Sequence, residues 1–157
     1  MLKISNKVSI NLSIAIAIMF FVACIAGAVI MPTLVNMLID TPDNIGNRGD
    51  ITQTGRILVH IASYLILAVF AVADILMFFL LFRVKKGLVF TEISVSLIRR
   101  VSWCCFAVCF LFAFLGIYFQ LSFIVAFLGI FLGVCLRVIK NVIAEATEIK
   151  NENDLTV

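Results

Sequence analysis

Apolar residues run along this chain in long unbroken blocks, not in the short alternating or 3.6-residue patterns of a soluble domain. The first block, residues 8–30, would span ~35 Å as a helix, against a bilayer hydrocarbon core of ~30 Å. The second, residues 57–82, is long enough to need some tilt. The third covers residues 101–136 and would reach ~54 Å as one helix, so it has to fold back into two spans. Gly116, Gln120 and Ser122 supply the flexible and polar centre of that block, which places a turn near residues 118–122. The pattern predicts an all-α integral membrane protein, one membrane domain with four transmembrane helices at about 8–30, 57–82, 101–119 and 121–139. An outer loop at 31–56 and an inner connector at 83–100 join them, and a tail follows at 140–157.

Composition narrows the class further. Hydrophobic residues make up 64% of the chain and charged residues 13%, which excludes an ordinary water-soluble enzyme. The net charge is only +3, and the basic residues stand at the ends of apolar blocks instead of forming one stripe, so direct nucleic-acid binding is not expected. Their distribution sets the orientation. Lys3, Lys7, Arg83, Lys85, Lys86, Arg99, Arg100, Arg137, Lys140 and Lys150 fall on one side of a four-span protein, and Arg48 and Arg56 on the other. By the positive-inside rule both termini are cytoplasmic. Phe21-Val-Ala-Cys24 loosely resembles a lipoprotein cleavage box, but the apolar block continues past Cys24, so a retained helix is expected there.

Between the blocks, Thr33-Leu-Val-Asn-Met-Leu-Ile-Asp40 reads as a short helix lying on the membrane, and residues 41–50 as a solvated, mobile connector of turn-forming residues. On the inner side Thr91 is a helix cap with Glu92 in the first turn, so the third helix should start in the cytoplasm before entering the bilayer near Val101. Val138, Val142, Ala146 and Ile149 continue an apolar helical stripe beyond the fourth span. The third and fourth helices are thus expected to extend together into the cytoplasm, with Glu145 and Lys150 close to opposite charges on the partner helix.

Few side chains suggest chemistry. Asp74 lies ~12 Å inside the second span, where a carboxylate costs ~2.5 to 3.5 kcal/mol to insert, and Asn11, Ser13 and Arg137 are its candidate partners. It reads equally well as a proton or cation site or as a buried polar pin fixing helix register. His60 shares its helical face ~21 Å away and is expected at the outer interface. Cys24, Cys104, Cys105, Cys109 and Cys135 contain no C-x-x-C pair and have no histidine near them, so packing is expected of them and not a metal or redox centre. Gly129 and Gly133 form G-x-x-x-G, which lets another helix backbone approach, the third span in preference to a second copy of the chain. No nucleophile, base and carboxylate set and no phosphate-binding glycine loop can be assembled, so neither an enzyme nor a cofactor is expected.

The connector Lys86-Gly-Leu-Val-Phe-Thr-Glu-Ile-Ser-Val95 and the ending Glu145-Ala-Thr-Glu-Ile-Lys-Asn-Glu-Asn-Asp-Leu-Thr-Val157, together with four spans and inside termini, resemble the small bacterial membrane proteins of domain-of-unknown-function family 2975 (DUF2975). The resemblance implies residence in the bacterial plasma membrane and a partnership with a small helix-turn-helix regulator of the Cro/C1 type, often encoded beside such proteins. It implies no catalytic residue. The resulting expectation is a regulatory or immunity protein that binds its cytoplasmic partner through the tail, with Glu145, Glu148, Asn153, Asp154 and Leu155 as the contact residues. The alternative is a small transporter or channel subunit, a homo-oligomer using Asp74 as its proton or cation site.

Overall fold

Four long helices account for almost all of the chain that is described. A computed structural model describes residues 6–40 and 51–155, with side chains over 9–40 and 51–152. The helices are α1 (Asn6–Asp40), α2 (Gln53–Lys85), α3 (Glu92–Leu115) and α4 (Ser122–Leu155), and no strand occurs among the described residues. All four are long and apolar enough to cross a membrane. Residues 41–50, where a turn-rich connector was expected, lie outside the described residues.

Local chemistry explains where the helices begin and end. Thr52 caps α2 by accepting from the backbone N–H of Gly55 at 3.3 Å, and Thr91 caps α3 by accepting from Ser94 at 3.4 Å. Arg83 and Lys85 occupy the last turn of α2, where the helix dipole favours cations. That helix closes with a Schellman arrangement: Leu88 N–H donates to the Arg83 carbonyl at 3.1 Å and Gly87 N–H to Val84 at 3.0 Å. Gly87 has φ +76°, the left-handed conformation the arrangement needs and a side chain would disfavour. The Ser94 hydroxyl then ties the start of α3 back to the Leu88 carbonyl at 2.9 Å, so the connector is short and pinned at both ends.

The segment expected as a separate surface helix, residues 33–40, is the continuation of α1 through Pro32. A proline inside a helix has no N–H to give to the carbonyl four residues back, here that of Ala28. The Tyr64 hydroxyl of α2 donates to the same carbonyl at 3.4 Å. The last turns of α1 are also held by packing: Val35 and Ile39 are buried with Val59 of α2 and Phe119 of the α3–α4 turn. An exposed ion pair between Asp40 and Arg56 links the end of α1 to the first turn of α2.

The helices form an open row, not a closed bundle. Among the described residues α1 packs on α2, α2 on α3 and α3 on α4, with no helix-to-helix contact between α1 and either α3 or α4, nor between α2 and α4. The α2–α3 seam is filled by Ala62, Ile66 and Leu115. Large apolar side chains such as Val29, Met37, Phe110, Phe127 and Phe131 remain exposed, the surface expected of helices solvated by lipid.

Candidate functional site

Polar side chains concentrate at the paired ends of α3 and α4, whereas the seam between α1 and α2 holds Asp74 among apolar residues. At the first, the α3–α4 seam is built on small residues. A Cβ added to Gly129 would lie 3.2 Å from Cys109 Cβ and 3.4 Å from the Cys105 carbonyl oxygen, and one added to Gly133 would lie 3.0 Å from the Phe106 ring. The glycine pair thus faces α3. Ser102 is buried there and its hydroxyl donates to the Gly133 carbonyl at 2.9 Å. Arg137 lies over the rings of Trp103 and Phe106, 5.1 and 5.3 Å from their centroids, which holds its guanidinium on an aromatic ledge instead of leaving it to snorkel freely.

Toward its start α3 stays paired with α4. Ser94, Val95 and Ile98 are buried on one helix and Thr147 on the other. A groove of about 620 Å³ runs between them, lined by Glu92, Ser96 and Arg99 of α3 and by Thr147, Glu148 and Asn151 of α4. The contact differs from the one expected. Val138, Val142 and Ile149 stay exposed, so the apolar stripe of α4 points away from α3. Glu145 and Lys150 are likewise exposed and make no ion pair among the described residues. Of the expected partner-binding residues, Glu148 lines the groove and Glu145 does not. The backbone at Asn153, Asp154 and Leu155 continues the helix, while their side chains lie outside the described residues.

The intramembrane polar residues are not brought together. Asp74 lines a cleft of about 280 Å³ between α1 and α2 whose other lining residues, Phe21 and Phe78 among them, are all apolar. None of its three candidate partners reaches it. Asn11 is exposed, the Ser13 hydroxyl donates to the Ser9 carbonyl at 3.1 Å, and Arg137 belongs to α4, which does not touch α2. His60 lies at the other end of α2, in a depression of about 730 Å³ shared with Arg56 and Tyr64. Its Nδ1 is 2.8 Å from the Arg56 carbonyl, so that nitrogen carries the proton it donates. All five cysteines are free, and no group of three or more potential metal ligands occurs among the described residues.

Ser102 and Ser96 were not singled out from the sequence, and Arg99 was read there only as a marker of orientation. A signal for Ser102 was present: Ser94, Ser102, Cys105 and Cys109 place small side chains along one stretch of α3, the complement that Gly129 and Gly133 require.

A family model described as "Protein of unknown function (DUF2975)" matches residues 11–157. No curated protein and no solved structure matches the chain.

Proposed function

We propose that this chain, which belongs to the DUF2975 family, is a multi-pass membrane protein of regulatory or immunity type whose α3 and α4 ends form a cytoplasmic docking platform for a soluble protein. The observation that carries the reading is the groove between Glu92, Ser96 and Arg99 on one helix and Thr147, Glu148 and Asn151 on the other. Anchoring a helix in a bilayer needs no such feature. Its walls carry both signs of charge on two helices that are packed together, so a partner meets a preformed polar surface and little ordering cost is incurred on binding. Orientation comes from charge: Arg83, Lys85, Lys86, Arg99 and Arg100 flank the α2–α3 connector, which the positive-inside rule assigns to the cytoplasm with both termini. The resemblance of the ending to its family supplies the kind of partner, a small helix-turn-helix regulator held at the membrane. No enzymatic activity is part of the proposal.

The test is the distribution of that regulator between membrane and cytosol in cells carrying the full chain, a deletion of residues 151–157, or the pair Arg99→Glu and Glu148→Arg. Release to the cytosol and altered target transcription, at unchanged membrane levels of this protein, are expected for both variants. A regulator that keeps its distribution in both would remove the proposal.

A further inference from the structure

α4 is the last helix of the row, and among the described residues only one helix, α3, packs on it. That contact runs through Gly129 and Gly133, with Thr147 buried further along the same side. On the opposite side Ile124, Leu128, Phe131, Val138, Val142 and Ile149 are each 53–60% exposed. With Cys135 and Glu145 in the two gaps, the steps from 124 to 149 alternate between four and three residues. This is the spacing of a and d positions in a coiled coil, and it draws one straight seam along the whole helix.

Lipid accounts for the part of the seam inside the bilayer and not for the rest. The 34 residues of α4 reach ~51 Å, against a hydrocarbon core of ~30 Å. Only a short reversal separates α3 from the start of α4, so the surplus lies at the other end, past Arg137 and Lys140. Val142 and Ile149 leave the hydrocarbon there and stay in register with the apolar positions inside it. The occupant of such a seam has to be a helix that follows it from the bilayer into water. A soluble protein cannot enter the first part, and lipid cannot cover the second. The α4 helix of a second copy does both. Two copies inserted the same way are related by a twofold axis along the membrane normal, which sets their α4 helices parallel and each seam position opposite itself. Val142 and Ile149 fall at a positions, where β-branched residues favour two strands.

We propose that the chain pairs with a second copy of itself through this face of α4, as a parallel two-helix coil that begins in the bilayer and continues beyond it. Glu145 occupies a d position and meets its own counterpart. Two carboxylates there weaken the pair, as a polar residue in a coiled-coil core does while it fixes the register. The groove lined by Thr147, Glu148 and Asn151 opens on the α3 side, so the dimer leaves both grooves accessible. The pairing does not depend on what docks in them.

The experiment is sedimentation equilibrium of the purified full-length chain in a neutral detergent, joined to disulfide crosslinking in native membranes. A reversible monomer–dimer equilibrium is expected. Glu145→Leu, which completes the apolar seam, should tighten it by about tenfold or more, and the pair Val142→Glu and Ile149→Glu should weaken it by a similar factor. These positions lie at or beyond the edge of the hydrocarbon, so insertion is retained. For crosslinking, single cysteines replace Val138, Val142 or Ile149 in a chain whose native cysteines are alanine, and copper phenanthroline is the oxidant. Each should give a disulfide-linked dimer, while Asn151→Cys, equally exposed but on the groove side, should not. A strictly monomeric chain, an unchanged equilibrium for Glu145→Leu, or crosslinking at Asn151 as efficient as on the seam would overturn the proposal. The sedimentation arm uses the native cysteines and stands even if the cysteine-free chain does not fold.

Discussion

The Tyr64 hydroxyl donates to the Ala28 carbonyl at 3.4 Å, and Ala28 is the residue whose carbonyl Pro32 deprives of its helical donor. In water such a carbonyl finds a solvent molecule. In hydrocarbon it does not, so a donor from the neighbouring helix compensates the proline locally and joins α1 to α2 at the same point.

This relationship predicts a coupled pair. Tyr64→Phe should lower stability in detergent by roughly 0.5 to 1 kcal/mol, the bond being long. In a Pro32→Ala background the Ala28 carbonyl regains its helical donor, so the same change should cost clearly less. A double-mutant cycle on unfolding free energies measures the difference, and strictly additive costs would show that the hydroxyl does not serve that carbonyl.

The α3–α4 seam gives a second prediction, set by what each glycine meets. Gly129 faces backbone as well as Cys109, which cannot swing aside, whereas Gly133 faces the ring of Phe106. Gly129→Leu should cost ~2 to 3 kcal/mol, and Gly133→Leu should do likewise while displacing the ring that Arg137 rests on. Val134→Leu, on an exposed face of α4, should leave the melting temperature within about 2 °C. Equal melting of all three variants would mean that the seam is not closely packed.

Much of this arrangement could be read from hydropathy, and the reasons the rest could not are specific. Runs of apolar residues mark helices long enough to span, and Gly116, Gln120 and Ser122 bracket the reversal between α3 and α4 because turn chemistry interrupts an otherwise continuous block. Thr91 was legible as a cap because a threonine before Glu92 has few other roles at a helix start. The open row was not legible. Lipid is as apolar as a protein core, so exposed Phe127 and buried Val108 carry the same kind of signal, and periodicity does not reveal which face meets a helix. The same ambiguity misdirected the tail, where the apolar stripe at Val138, Val142 and Ile149 suggested a contact that Thr147 in fact makes. Asp74 was conspicuous in the sequence, but hydropathy does not say which helices are neighbours, and α4, which carries Arg137, does not touch α2.

For Asp74 itself the stability prediction follows from its having no partner among the described residues. Asp74→Asn removes a charge that nothing among the described residues compensates, so membrane insertion and melting should be unchanged or slightly improved. Asp74→Lys puts an ammonium among Phe21, Phe78 and Phe79 with no counter-ion, and should reduce the inserted, folded fraction several-fold at equal expression. Failure of the Asn variant to insert would reveal an ion pair holding the carboxylate in the membrane.

The topology prediction uses two exposed positions, one at the start of α2 and the other near the end of α4. Gln53 begins α2 beside the paired Asp40 and Arg56, and Asn151 lies near the end of α4 beyond Arg137, Lys140 and Lys150. Because Arg56 is matched by Asp40, the outer end carries little net positive charge to hold it inside, whereas the connector and α4 end place many basic residues next to the spans. A cysteine at Gln53 should react with a membrane-impermeant maleimide in intact cells, and one at Asn151 only after permeabilisation. The native cysteines lie within the helices and set the background to subtract. Modification of the Asn151 cysteine in intact cells would invert the protein in the membrane and put the groove at Glu92 and Glu148 outside, where no cytoplasmic regulator could reach it.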